Sequence, residues 1–462
     1  MTNGIIQAWI PQLEQKGALA QAIVRCLEQD VHAGRLEAGA QLPTQRALAD
    51  LLGVTVGTVT RAYNEARRRG LIHGRVGQGT FVSTAPRPTL APAELPQGPC
   101  TAPVDLSVNL PLASPEPDLA AALRALADQP DLNSCLGYQS AAGSAEVRAA
   151  GAQYLTQIDC HVDPDQVLVC NGAQHALHVA LSVMAGPGEL VHCEQLTYPG
   201  FISLARRQGL RLRGITLDPQ GLVPEDFATA CHHERPRVLY CQPMLQNPTN
   251  AALPLARRLQ IVELARRHDV LLLVDEVNVG LVRDSTPSFA TLAPERTVTI
   301  AGVSKPLHPG LRTAFMAAPQ GLCPALKEGI WTSTWMASTI GATIAARWIS
   351  DGTAVRATRL RRKALAPLTR LAERTLAGLR ARTLFGSYHV WLELPPGWDS
   401  SAFSAALQAQ GVLVTPERSF LAPSKPTSPA VRISLSGASS PVELEIALCK
   451  IRDLALFVPS SK

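Results

Sequence analysis

Twenty residues decide how the rest of this chain can fold. Between Thr84 and Pro103 there are six prolines and few large apolar side chains. Such a stretch cannot close a core; it reads as a semi-rigid, polyproline-like tether that spans up to about 60 Å. One continuous fold is thereby excluded. The 462 residues divide into a small head, 1–83, and a large body, 104–462. The whole has the length for two or three domains, each able to bury a core.

The head has the spacing of short helices. Leu19, Ile23, Leu27 and Val31 recur every fourth residue between Lys16 and Gly34, which puts them on one helix face. Thr44 is a suitable N-cap for a second helix whose apolar face is Ala47, Leu48, Leu51 and Leu52, and Gly53 ends it. A third helix is expected from Gly57 to Arg69 with Val59, Ala62, Tyr63 and Ala66 inward. Helix, glycine-containing turn, helix is the pattern of a helix-turn-helix. The following L-I-H-G-R-V-G-Q-G-T-F-V reads as two short strands around a glycine-rich tip, a wing. Six arginines between Arg46 and Arg75 face only Asp50 and Glu65, a net of +4, which suits a phosphate backbone or a solvated face. The second helix of such a pair enters the major groove by its N-terminal end, so Thr55, Thr58 and Arg61 are candidate contacts to bases or phosphates, with Arg46 toward the backbone.

The body alternates strand and helix. Strands are expected at Val167–Cys170, Leu190–Cys193, Arg211–Thr216, Val238–Cys241, Val270–Val274 and Thr297–Ile300. Helices are expected at Ala173–Met184 and Leu255–His268, a long helical region at Gly352–Arg382, and a smaller β/α segment at Ser387–Leu456. This order implies a mostly parallel sheet covered by helices, with ligands at the carboxyl ends of the strands and 352–462 forming the long helix and a small subdomain. The uncharged run Gly329–Ala346 holds six Ser or Thr and two Gly and reads as a buried segment, not a membrane span. Ten scattered cysteines without a C-x-x-C pair, and an N-terminus lacking a basic start and an apolar core, point away from zinc, disulfides and secretion and toward the cytoplasm.

Chemistry gathers at the expected strand ends. Asn171-Gly172-Ala173-Gln174 joins a strand to a helix, where backbone N–H groups suit an anion. Tyr198 follows a strand in L-T-Y-P-G, and Asn247 follows another in L-Q-N-P-T-N. Asp275 ends the apolar V-L-L-L-V-D, and a carboxylate there needs a partner, for which a protonated pyridine nitrogen would serve. A metal is disfavoured, since only Glu276 stands near it. Lys305, in V-S-K-P, suits a covalent anchor for an aldehyde cofactor or a solvated loop, and Ser304 and Arg312 suit a phosphate.

The ordered set N-G-A-Q, T-Y-P, N-P-T, D-E and S-K with Arg312 resembles the fold-type-I aminotransferases. The head, from L-P-T-Q-R-A-L-A-D-L-L-G-V to G-Q-G-T-F-V, resembles the GntR-type winged helix-turn-helix. Together with the tether, the chain resembles the MocR-type transcriptional regulators over about Ala18–Leu456. That resemblance implies pyridoxal 5'-phosphate (PLP) linked to Lys305, its pyridine nitrogen on Asp275, its ring hydroxyl on Asn247 and its ring stacked on Tyr198. It implies a phosphate cradle from Ala173, Gln174, Ser304 and Arg312, and a Tyr138 that reaches the phosphate of a neighbouring subunit in a homodimer. Arg432, in V-R-I-S-L-S, corresponds to the arginine that grips an amino-acid carboxylate, and Arg46 and Arg61 correspond to DNA contacts. The implied partners are promoter DNA and an amine or amino-acid effector. An active aminotransferase with an attached head is the alternative.

Three positions depart from the pattern. Asn278 stands where a tyrosine usually touches the ring hydroxyl, Gly302 stands where a Ser or Thr usually binds the phosphate, and N-P-T-G reads N-P-T-N through Asn250. Two contacts at about 1 kcal/mol each weaken cofactor binding by roughly ten- to a hundred-fold, which favours sensing over fast catalysis.

Overall fold

The computed structural model describes residues 9–11, 19–32, 36, 39–68, 71–75, 79–82, 104–112, 116–130, 132–278, 280–282 and 285–457. The tether 84–103, the wing tip 76–78, the helix ends expected at Lys16 and Gly34, Arg69 and the Val31 side chain lie outside the described residues. The chain forms two compact units, Met1–Ala91 and Pro92–Lys462.

In the first unit, helices Leu19–His32, Gln45–Leu52 and Val56–Arg68 enclose a core that includes Ile23, Leu27, Leu48, Val59, Tyr63 and Val82. The second helix starts where its cap dictates, because the Thr44 hydroxyl accepts from Ala47 N at 3.2 Å. It ends at Gly53, whose φ of 62° few other residues adopt cheaply. Strands Ile72–Arg75 and Gly79–Val82 pair as the expected hairpin. A third strand, Gln41–Leu42, pairs antiparallel with Gly79–Val82; two residues are too few to show a period. The apolar face assigned to the second helix needs correction. Leu48 is buried, but Leu51 is 50% exposed and Ala47 is also exposed, because the short helix turns only one narrow stripe to the core. Leu19 is likewise largely exposed.

The second unit is built on a seven-stranded sheet. Its spatial order is Val167–Cys170, Ala314–Ala317, Thr297–Gly302, Leu271–Asp275, Val238–Cys241, Leu190–Glu194, Arg211–Ile215. All pairs are parallel except those of Ala314–Ala317, which runs antiparallel to both neighbours. Five of these strands are buried along their whole length, as strands covered by helices on both faces are. A second sheet carries Arg380–Arg382, His389–Glu393, Ala430–Ser434 and Thr415–Pro416 in that antiparallel order. Helices Ser400–Ala409 and Pro441–Leu456 add to its core through Phe403 and Leu448.

Three expectations change here. The long helix runs from Thr353 to Thr375 only; Arg380–Arg382 is a strand, released by the turn through Gly378 at φ 86°. The run 329–346 is not a single buried segment, since it is shared by helices Cys323–Thr334 and Thr339–Ser350, and Trp331 and Trp335 are half exposed. Finally, Val104–Asp105 pairs in parallel with Val412–Leu413, so the first described residues of the body join the small sheet's side of the unit. Among the described residues, no helix is long and apolar enough to cross a membrane.

Candidate functional site

The site is a consequence of strand direction. Val167–Cys170 is antiparallel to a strand that is itself antiparallel to Thr297–Gly302, so it points the same way as the parallel set. Five carboxyl ends therefore meet at one edge of the sheet. They present Asn171–Gln174, Gln195–Tyr198, Gln242–Asn250, Asp275 and Ser304–Lys305.

Lys305 is half-buried there, and its amine donates to the carbonyl of Asn109. Burial, with the charge of Arg432 nearby, pushes that amine down to about 8. Its loop is fixed from behind. Tyr388 donates its hydroxyl to the Lys305 carbonyl at 3.0 Å, and the amine lies 5.8 Å from the centre of the Tyr388 ring. The buried Arg361, from the long helix, donates to the carbonyls of Pro306 at 2.9 Å and Leu307.

Asp275 is buried, and burial raises its pKa. Its bonded neighbours are uncharged donors: the Tyr240 hydroxyl at 2.8 Å, the Gln242 side-chain amide at 3.3 Å and the Val277 N–H at 3.2 Å. Gln242 also accepts from the Asn247 N–H at 2.8 Å. Its own N–H donates to Glu194 at 2.9 Å. Glu194 takes further bonds from Gln246 at 3.1 Å and Thr197 at 3.3 Å, yet burial still lifts it to about 8. Asn247 accepts from Arg432 Nη1 at 2.9 Å, and Arg432 Nη2 donates to the Ser107 carbonyl at 2.5 Å. The Arg432 guanidinium lies 4.9 Å over the Phe420 ring, and burial lowers its pKa to about 10.

The opposite side is a helix N-terminus. Gly172, at φ 82°, caps Ala173–Met184, whose first N–H groups have no acceptor within the helix. A Cβ on Gly172 would stand 2.7 Å from Arg312 Nη2, so Arg312 passes directly across this turn. Arg312 Nη1 reaches Ser304 Oγ at 3.5 Å. Gln174 anchors the turn to Gly200 O at 3.2 Å. Tyr198 is half-buried; burial raises its hydroxyl pKa, Asp275 adds to that rise, and Arg312 and Arg432 oppose it.

The structure thus gathers Lys305, Asp275, Asn247, Tyr198, Ala173, Gln174, Ser304, Arg312 and Arg432 at one place. Tyr138 stands apart: it is 86% exposed, with its ring 5.9 Å from that of Trp335. Sequence reasoning did not single out Gln242, Tyr240, Glu194, Asn109, Tyr388 or Arg361. Gln242 directly follows a strand, the same signal that picked out Asn247. Nothing in the sequence marks Arg361, one of several arginines on its helix, as the one turned inward.

In the first unit, Arg46 and Arg61 are exposed on the second and third helices. The Thr55 oxygen caps the third helix, accepting from Thr58 N at 3.3 Å and lying 2.9 Å from the Thr58 hydroxyl. Thr60 donates to Gln45 at 2.8 Å and fixes the two helices against each other.

Residues 101–451 match the model of the aminotransferase class I and II family. The chain belongs to that family. In addition, residues 19–82 match the gntR family of bacterial regulatory proteins, so this class I and II member carries a GntR-type head. Relatives named as regulators align with this chain, two of them over nine-tenths or more of its length. The uncharacterized HTH-type transcriptional regulator YdeF of Bacillus subtilis is 27% identical over 97% of this chain and 96% of its own length. The HTH-type transcriptional regulator TauR of Rhodobacter capsulatus is 28% identical over 91% and 93%. The probable rhizopine catabolism regulatory protein MocR of Rhizobium meliloti is 26% identical over 71% and 70%. Among solved structures, the multiple substrate aminotransferase of Thermococcus profundus superposes with a TM-score of 0.71 at 20% identity, covering 77% of this chain and 92% of that one. LysN, the α-aminoadipate aminotransferase of Thermus thermophilus, solved with N-(5'-phosphopyridoxyl)-L-leucine, gives 0.69 at 23% over 77% and 92%.

Class I and II aminotransferases use PLP, and the residues present fit that group. The fit rests on a half-buried amine whose pKa is lowered to about 8 by burial, and on a buried carboxylate whose hydrogen-bond donors among the described residues are all neutral. The Gly172 turn beside Arg312 leaves its first helical N–H groups for a phosphate.

Proposed function

We propose that the protein is a PLP-dependent, DNA-binding transcription regulator of the MocR type that acts as a homodimer in the cytoplasm. The observation that carries this is the union in one chain of a GntR-type head and a class I and II body, an arrangement shared along nearly the full length of relatives named as HTH-type regulators. PLP supplies an electrophilic carbon for an amine and a ring that takes up electron density. Lys305 holds the cofactor covalently. Asp275 keeps the proton on the ring nitrogen, Asn247 orients the ring hydroxyl and Tyr198 covers one ring face. Ala173, Gln174, Ser304 and Arg312 hold the phosphate, joined by Tyr138 of the neighbouring subunit. Arg432 receives the carboxylate of an amino-acid effector, and its bond to Asn247 links effector to cofactor. Arg46, Arg61, Thr55 and Thr58 meet the DNA. An effector regulates only if its affinity differs between two states of the dimer.

Titration of the purified chain with PLP, followed by visible absorbance, tests the cofactor half of this reading. A saturable band that is lost in Lys305→Ala is the expected result; no band in either protein would contradict it. The pocket residues that are present, Arg432 included, also suit an aminotransferase that retains a DNA-binding head. Incubation with amino acids and a 2-oxo acid acceptor separates the two, because many turnovers per site are expected only of the enzyme.

A further inference from the structure

We infer that Gln242 is a positioning residue that locks Asp275 and Asn247 in register, and that it makes up for the contact missing at Asn278. The inference rests on the cofactor reading above. Asp275 and Asn247 lie on different elements, one at the end of strand Leu271–Asp275 and the other five residues beyond Gln242 in the following loop. One buried amide spans them. Its nitrogen donates to Asp275 Oδ2 at 3.3 Å and to Tyr240 Oη at 3.1 Å, and its oxygen accepts from Asn247 N at 2.8 Å. Tyr240 in turn donates to the same Asp275 oxygen at 2.8 Å and stacks on Phe201 at 3.8 Å, so the triangle cannot rotate. The amide therefore uses both of its ends, and each end serves a residue that would touch the cofactor ring.

The need for such a brace follows from what the ring lacks. Its hydroxyl would have Asn247 but no tyrosine at position 278. A single asparagine from a loop positions a ring only if it is held firmly, and the Gln242 bond to the Asn247 N–H adds to the bond that Arg432 Nη1 makes to the Asn247 side chain. The loop's own folding has a different support. Gln246 accepts from Thr249 N at 2.9 Å and Thr249 Oγ1 at 2.6 Å, and donates to Leu196 O at 2.6 Å. Loss of the Gln242 side chain is therefore expected to loosen the ring contacts and leave the loop in place.

The test compares wild type with Gln242→Met, which keeps length and loses both hydrogen-bonding ends, and with Gln242→Glu. The glutamate keeps an oxygen for the Asn247 N–H but sets an acceptor against Asp275. PLP affinity, the pH midpoint of the bound cofactor's absorbance and the thermal midpoint of the cofactor-free protein are measured for each. Gln242→Met is expected to weaken PLP binding by about ten- to thirty-fold with little change in the cofactor-free thermal midpoint. Both variants are expected to displace the absorbance midpoint by about half a pH unit or more, because the donors to Asp275 are changed. If Gln242→Met does not fold, Gln242→Glu decides by the same absorbance criterion. Wild-type affinity within about twofold and an unmoved midpoint in the folded variants would overturn the inference alone. A wild-type protein that takes up no PLP would overturn the cofactor reading and this inference with it.

Discussion

Lys305 shows how burial tunes a single group. Its amine sits at about 8 and not at 10.5, chiefly through desolvation and secondly through the charge of Arg432. Only the neutral amine attacks an aldehyde. Capture of PLP by the cofactor-free chain is therefore expected to accelerate about tenfold per pH unit up to about pH 8 and then to level off, a profile readable by stopped-flow absorbance. A rise that continues toward 10.5 would mean an exposed lysine. Glu194 works in the other direction. The folded chain keeps its proton up to about 8, whereas the unfolded chain releases it near 4.5. The folded state binds more protons across that window, so this group makes stability fall as pH rises from about 4.5 to about 8. Glu194→Gln is expected to flatten that slope when thermal midpoints are compared between about pH 5 and about pH 8. An equal slope in both proteins would remove the assignment.

At the scale of elements, the turn between strand and helix is the working unit. Position 302 is the clearest case. The atoms nearest a Cβ added to Gly302 are Ala173 Cβ at 3.6 Å, Val277 Cγ1 at 3.8 Å and Val277 Cβ at 4.0 Å, which are ordinary contacts. The missing hydroxyl is therefore a chemical choice and not a steric one. Gly302→Ser is expected to tighten PLP binding by about tenfold, one hydrogen bond's worth, in the same absorbance titration. Gly172 is the opposite case: Gly172→Ala puts a methyl at φ 82° and 2.7 Å from Arg312, and is expected to weaken PLP binding. Elements of this kind were largely legible in the sequence. Ala173–Met184 and Val238–Cys241 begin and end where caps and apolar runs placed them. Ala314–Ala317 was not legible, because an Ala-Phe-Met-Ala run of four residues buried on both faces is too short and too uniformly apolar to show a period. The candidate positions Asp275 and Lys305 were legible through the ordered set of motifs that carries the family resemblance, since neither stands out alone. The site was not legible where common residues such as Gln242 and Arg361 gain their roles from partners distant in sequence.

The chain joins two units of different character. The GntR-type head presents exposed Arg46 and Arg61, and replacing either by Ala is expected to weaken DNA binding and to reduce the slope of log affinity against log salt by about one. An unchanged slope would place that arginine off the phosphates. In the proposed function, occupancy of the body's candidate cofactor site alters DNA binding. The most direct measurement uses duplexes selected by the full chain from a random pool. Their affinity is determined for wild type and Lys305→Ala, with and without PLP and with a panel of amines and amino acids. Wild-type affinity is expected to change by about fivefold or more with PLP or with PLP plus one of the amines, and Lys305→Ala is expected not to respond. Wild-type affinity that stays the same under every combination would contradict it.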